Sequence, residues 1–136
     1  MGKLGAMILG ICIWAIPLAA MSADFDGSVP LICAVIDVME CDPVGGCEVR
    51  EVEDIDLPQF VRIDFEGKKI TTTRAQEGDR SSAMRFLERM DGVMILQGAE
   101  NGRGWSMAIV EETGKMSAAA VGAEAGFVVF GACTPD

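Results

Sequence analysis

The sequence contains no histidine and no tyrosine among its 136 residues. Without histidine the chain cannot build a Ser-His-Asp or Cys-His catalytic arrangement, a histidine acid–base pair or a histidine-ligated metal site. Asparagine occurs once, at Asn101, and tryptophan only at Trp14 and Trp105. Because the most common hydrolase mechanisms are excluded and no other catalytic or cofactor motif stands out, we expect no enzymatic activity and no cofactor.

The first 23 residues have the composition of a secretory signal peptide. Lys3 supplies a positive start, an apolar run covers 4–16, and a proline with several small residues ends it. The alternative is an uncleaved membrane anchor, since 4–23 could just span a bilayer of roughly 30 Å. We favour cleavage, because the run ends as signal peptides do, and predict a single periplasmic or secreted domain over 24–136.

Acidic residues outnumber basic ones by 21 to 11, which gives a formal net charge of −10. Loss of the signal segment removes Lys3 and no acidic residue, so 10 basic and 21 acidic residues remain, a net charge of −11. Such a chain repels nucleic acid and anionic lipid and attracts basic proteins. We therefore expect no nucleic-acid partner, and no membrane contact beyond an uncleaved signal segment.

Four of the five cysteines follow the signal segment: Cys33, Cys41, Cys47 and Cys133. An even number in a short exported domain predicts two disulfides. Cys41 and Cys47 flank the turn sequence 42–46, so we expect them to bond across a hairpin, which leaves Cys33 to bond Cys133. A zinc site is the alternative, but spacings of eight, six and eighty-six residues lack the short paired knuckles of zinc modules.

Short apolar stretches separated by glycine-containing turns predict about nine antiparallel strands. Apolar and polar residues alternate in 60–65 and again in 105–110, as on a half-buried strand. The segment 82–90 contains good helix formers, but Asp91-Gly92 follows it, and this pair is a strong hairpin signal. We predict a strand there.

A meander of this length exposes two edges unless it closes on itself. Closure into an up-and-down barrel places the first strand beside the last, where a disulfide between Cys33 and Cys133 would join them. Small residues in the last strands suit a tight, coiled seam: Ala118, Ala119, Ala120, Gly122, Gly126 and Gly131. The predicted fold is an all-β antiparallel meander that closes into a small up-and-down barrel with two disulfides, and an open sandwich is the alternative.

The segment 100–106 carries the most unusual residues of the chain. Arg103 could present its guanidinium to a carboxylate or phosphate beside the aromatic surface of Trp105, with Asn101 in the same rim. The alternative is a plain hairpin in which Asn-Gly supplies positive φ and the tryptophan fills the barrel end. Asp37, which lies among apolar residues, would join this ligand or partner rim if it faces inward and be solvated if it faces outward.

An acidic run and a set of methionines complete the candidates. The run comprises Glu51, Glu53, Asp54 and Asp56, whose oxygens could bind a hard cation. It lacks the glycine turn and spaced ligands of a calcium loop, so we predict a solvated loop and no metal site. The methionines are expected to fill the core and could line an adaptable cavity: Met39, Met84, Met90, Met94, Met107 and Met116.

Several phrases resemble small exported bacterial proteins of unknown function: 95–98, 101–106, 113–114 and 130–133, together with 25–28, 30–31 and 33–34. In size and end-to-end cysteines the chain is similar to calycin-type barrels and to periplasmic inhibitors of C-type lysozyme. The serine-glycine loop and lysine-glycine turn of those inhibitors are not reproduced. The resemblance therefore implies an architecture and no specific activity.

Three functional hypotheses follow. The first is a non-enzymatic binding module that holds a small apolar or amphipathic ligand in the barrel or at its mouth. The second is an acidic inhibitor or accessory protein that binds a basic exported enzyme such as a lysozyme, because the net charge favours basic partners. The third is an enzyme that uses carboxylates such as Asp37.

Overall fold

The computed structural model describes residues 25–55, 57–73 and 80–136. The segment 1–23, interpreted above as a signal peptide, lies outside the described residues. Nine strands and one short 3-10 turn follow along the chain: β1 Leu31–Asp42, β2 Gly46–Arg50, the 3-10 turn Val52–Asp54, β3 Phe60–Asp64, β4 Lys69–Thr72, β5 Ser81–Met90, β6 Val93–Glu100, β7 Arg103–Val110, β8 Lys115–Val121 and β9 Gly126–Pro135. In the described part of the chain, no helix has the length and apolar character needed to cross a membrane.

Eight of these strands form a closed antiparallel barrel in the order β1-β3-β4-β5-β6-β7-β8-β9, and β9 pairs back onto β1. The predicted all-β barrel is confirmed. The ninth strand, β2, lies outside the ring. The reason is the length of β1, which has twelve residues. The first half of one edge of β1 pairs with β3, and the second half of the same edge pairs with β2.

Two-residue turns connect the central strands of the barrel. Asp91 and Gly92 have φ values of 53° and 76°, and Asn101 and Gly102 have values of 49° and 76°. Positive φ at both central positions defines the type I′ turn, whose twist matches that of the strands it joins. The prediction that 82–90 is a strand ending in a hairpin is therefore confirmed.

Both predicted disulfides are present, and each joins residues that face each other across neighbouring strands. Cys33 pairs with Cys133 between β1 and β9, with sulfur atoms 2.08 Å apart, and Cys41 pairs with Cys47 between β1 and β2. A Cβ atom added at Gly131 would overlap the carbonyl oxygen of Ala34, so the seam between β1 and β9 requires glycine there. Two such cross-links indicate an oxidising compartment.

The barrel interior is filled unevenly. The half that contains the Asp91-Gly92 turn is packed by large side chains with no exposed surface: Leu31, Ile63, Met94, Leu96 and Ile109. The other half contains a smaller cluster of Val38, Phe127 and Val129, against which the 51–57 connection packs through Val52, Ile55 and Leu57. The large side chains form the stable core, and the opposite half is where space remains.

The two disulfides should differ in their contribution to stability. By the chain-entropy relation, the cross-link across 100 residues contributes about 5 kcal/mol and the one across 6 residues about 2 kcal/mol. Cys33→Ala with Cys133→Ala should therefore lower the free energy of unfolding more than Cys41→Ala with Cys47→Ala, as measured by urea unfolding followed by circular dichroism. Equal losses, or the reverse order, would contradict the account of the seam.

Candidate functional site

A cavity of about 360 Å³ opens at the barrel end that carries the Asn101-Gly102 turn. It extends inward as far as Ser82, Met107 and Met116, beyond which the large core side chains fill the barrel. Ligand-binding cavities in proteins commonly have volumes of about 300–1,000 Å³. This barrel cavity is therefore large enough for a small organic molecule.

Most of the cavity wall is apolar. The wall is formed by side chains from the loop before β3 and from all eight strands of the ring. Its apolar members are Val35, Leu57, Pro58, Val61, Ile70, Trp105, Met107, Met116, Ala118, Ala119, Ala120, Phe127 and Val129. Two of the six candidate methionines contribute to it, while Met84 and Met94 are buried elsewhere in the core. Met90 is 57 % exposed and lies outside the wall. An apolar wall of this kind takes up apolar surface from water at a gain of roughly 25 cal/mol per Å².

Trp105 is held in one orientation on the wall. Its indole Nε1 donates a hydrogen bond of 2.8 Å to the hydroxyl oxygen of Ser82, which is a buried polar side chain. Its ring packs over Gly98, the residue opposite it on β6. Because the ring nitrogen is satisfied inside the barrel, the indole presents a fixed aromatic surface to the cavity.

A small set of charged and polar groups surrounds the opening. Glu100 lies 3.9 Å from Arg80, measured between the carboxylate Oε1 and the guanidinium Nε. The side-chain amide of Asn101 donates to the same carboxylate oxygen at 3.4 Å. The negative charge of Glu100 is therefore balanced by Arg80, and its carboxylate accepts a further hydrogen bond from the neutral amide of Asn101.

Arg103 stands apart from this pair. Its guanidinium carbon lies 5.5 Å from the centre of the Phe127 ring, a distance at which a cation is attracted to the face of an aromatic ring. Its aliphatic stem lies over Gly122, in the β8–β9 turn. None of the ion pairs within the described residues includes Arg103.

Three of the four predicted rim residues line the cavity: Asn101, Arg103 and Trp105. Asp37 does not, because it lies exposed on the outer face of β1. A bulge between Val35 and Asp37 shifts the register with β9. The extra residue lets Val35 and Val38 both face inward and turns Asp37 outward, and such a bulge leaves no clear sign in the sequence.

Sequence reasoning missed several residues of the site. Arg80, Glu100 and Ser82 line the cavity, together with Thr71 and Thr72 at the end of β4. Ser82 accepts the hydrogen bond from the indole of Trp105. Only strand alternation could have found it, because Ser82 lies two residues before the buried Met84 and shares its face.

A second hollow, of about 470 Å³, lies beside β5 at the other end of the barrel. Charged side chains form much of its lining, including Asp26, Lys68 and Arg85. Arg89 also reaches it, but its guanidinium bonds the carboxylate of Glu111, and this bond raises the pKa of Arg89. The first cavity is the better candidate, although it is smaller, because its wall is continuous and apolar.

Acidic side chains do not form a metal site in the described part of the chain, where no group of three or more histidine, cysteine, aspartate or glutamate side chains is placed to hold an ion. Glu51, Glu53 and Asp54 are exposed in the connection between β2 and β3. Asp56, the fourth member of the acidic run, lies outside the described residues. The groups that the barrel cavity presents are apolar side chains, arginine guanidinium groups, hydroxyl groups and the side chains of Glu100 and Asn101.

The packing of Trp105 on Gly98 gives a direct test of the site geometry. A Cβ atom at position 98 would overlap both the indole ring and the carbonyl oxygen of Ala83, so Gly98→Ala should lower the free energy of unfolding by about 1–3 kcal/mol. Gly104→Ala is the matched control, because a Cβ atom there meets no other atom within 4 Å. Urea unfolding measures the difference, and near-ultraviolet circular dichroism reports the indole. An unchanged stability and tryptophan signal in Gly98→Ala would contradict this packing.

Comparisons with protein-family models, with curated proteins and with solved structures each find no match to this chain. The resemblance to small exported bacterial proteins stays a prediction. No relative's activity can therefore be transferred to the barrel. The function has to be inferred from the cavity and from the side chains around its opening.

Proposed function

We propose that the protein is an exported, non-enzymatic binding module that holds a small apolar or amphipathic ligand in the open end of its barrel. The observation that carries the proposal is the cavity of about 360 Å³ with its apolar wall. An empty apolar cavity of this size costs stability, because its lining loses the contacts that a filled core would make. A ligand that restores those contacts would be stabilised by the same effect.

The position of the cavity supports the same function. Pockets of closed antiparallel barrels lie at the mouth, where loops rather than strand pairing limit access. Here Leu57 and Pro58, from the connection before β3, form part of the opening. This connection is fixed to the barrel by a hydrogen bond of 2.9 Å from the Val35 amide to the Gln59 carbonyl oxygen. The mouth is thus framed on one side by a tethered loop.

The proposed setting is outside the cytoplasm. The two disulfides are stable in an oxidising compartment, and the segment 1–23 would direct export and then be removed. The alternative function, an acidic inhibitor of a basic exported enzyme, is compatible with the net charge of −10. It would not require an interior cavity, and the cavity therefore favours ligand binding.

Filling the cavity should abolish binding without harming the fold. Ala118 lies on the wall and packs against both core clusters, so Ala118→Leu adds three carbon atoms to the space that the ligand would occupy. We expect its dissociation constant for 1-decanol to rise at least tenfold, while the free energy of unfolding is unchanged or higher because the cavity shrinks. The titration follows Trp105 fluorescence in a Trp14→Phe background, in which it is the remaining tryptophan.

Ala99→Leu is the matched control, because Ala99 is exposed on β6 and does not line the cavity. It carries the same chemical change and should leave decanol binding intact. The contrary result is that decanol leaves the Trp105 emission unchanged in both the Trp14→Phe chain and its Ala99→Leu variant, with no heat of binding in calorimetry. That result would reject the proposed ligand function. Equal binding by Ala118→Leu and Ala99→Leu would place the ligand elsewhere.

A further inference from the structure

We infer that the ligand of the barrel cavity is a single-chain amphiphile with an oxyanion head, and that Arg103 binds this head at the mouth. The inference rests on the proposed function and specifies its ligand class. Three features of the described residues support it: the charge balance of the rim, the availability of the Arg103 donors, and the volume of the cavity.

The described charged side chains that line the cavity have a net positive charge, whereas the chain as a whole has a net negative charge. The full sequence has a formal net charge of −10. Around the opening, the described charged side chains that line the cavity are Arg80, Arg103 and Glu100, which sum to +1. Because Glu100 interacts with Arg80 and Asn101, its charge is already compensated, and Arg103 supplies the local excess. A local cation at the mouth of an apolar cavity favours an anion at that point.

The guanidinium of Arg103 is placed to use its donors. The N–H groups of a guanidinium lie in one plane, where an oxyanion can accept two at once, and none of the ion pairs within the described residues uses those of Arg103. The contact with the ring and the packing of the stem over Gly122 limit the rotamers of the side chain. Less conformational entropy is then lost when an anion binds.

The volume of the cavity limits the length of the ligand's apolar tail. A non-hydrogen atom in a liquid occupies roughly 30 Å³, as one water molecule does. A cavity of about 360 Å³ therefore holds on the order of ten such atoms. This is one alkyl chain of about ten carbons. With the head at Arg103, the tail would pass the indole of Trp105 and end near Met107 and Met116, the deepest part of the wall.

A series of ligands with one tail and different heads tests the inference. Decanoate, decyl phosphate, 1-decanol and decyltrimethylammonium are titrated below their micelle concentrations into the Trp14→Phe chain, with Trp105 fluorescence and calorimetry as readouts. We expect at least one of decanoate and decyl phosphate to bind about tenfold more tightly than decanol, and decyltrimethylammonium to bind most weakly, because a charge-assisted pair stabilises only the anions. The two anionic ligands distinguish a carboxylate head from a phosphate head.

Arg103→Gln should remove this preference. Its affinity for the anionic ligands should fall about tenfold, to the level of decanol, while its affinity for decanol is unchanged. Arg85→Gln is the control, because Arg85 is an exposed arginine of β5 that does not line the cavity. It removes the same charge from the protein and should leave the preference intact. Circular dichroism establishes that both variants are folded.

Each other outcome overturns the inference in a distinguishable way. Equal affinities across the series would remove the role of the head while the proposed function stands. Tightest binding of decyltrimethylammonium would assign the head to Glu100 rather than to Arg103. An anion preference that survives in Arg103→Gln and is lost in Arg85→Gln would move the anion to the second hollow. No binding of any ligand would reject the proposed function together with the inference.

Discussion

Pairing between β1 and β9 is the constraint on which the rest of the structure depends. The two strands run side by side along nearly their whole length, and the disulfide between Cys33 and Cys133 lies within that pairing. Without this seam, the sheet would be open, with β1 and β2 at one end and β9 at the other, and the face that lines the cavity would be exposed to solvent. Closure places Val61 and Ile70 opposite the wall formed by the last strands. The cavity thus depends on closure of the sheet before it depends on any single side chain.

The barrel has one half filled by large side chains and one half that contains the cavity. Residues such as Leu31, Met94 and Leu96 occupy one half completely. In the other half, the inward positions of β8 carry Ala118 and Ala120, whose small side chains leave the cavity. A fold that concentrates its large residues at one end can tolerate an empty space at the other.

Local signals in the sequence predicted much of the fold. Asp91-Gly92 and Asn101-Gly102 specify their turns through positive φ, and the cysteine spacing identified both disulfides. Asn101, Arg103 and Trp105, which the sequence places at a hairpin tip, line the cavity, because a hairpin tip is a local feature. The cavity itself was not predictable, since an empty volume depends on how residues of many strands add up across the barrel. The orientation of Asp37 was left open for a related reason, because a one-residue bulge reverses the alternation that the sequence displays.

The strand left outside the ring has a practical consequence. The β1–β2 hairpin extends from the barrel wall, and at its tip Val44 is 97 % exposed. The turn is stabilised from within by Asp42, whose carboxylate accepts the amide hydrogens of Gly45 and Val44, so the pKa of Asp42 is lowered. The Cys41–Cys47 bond closes the hairpin just below this turn. The tip is therefore a natural attachment point for a dye, an affinity tag or a surface linker, because a group joined to this exposed and cross-linked turn would leave the pairing of β1 with β9 intact.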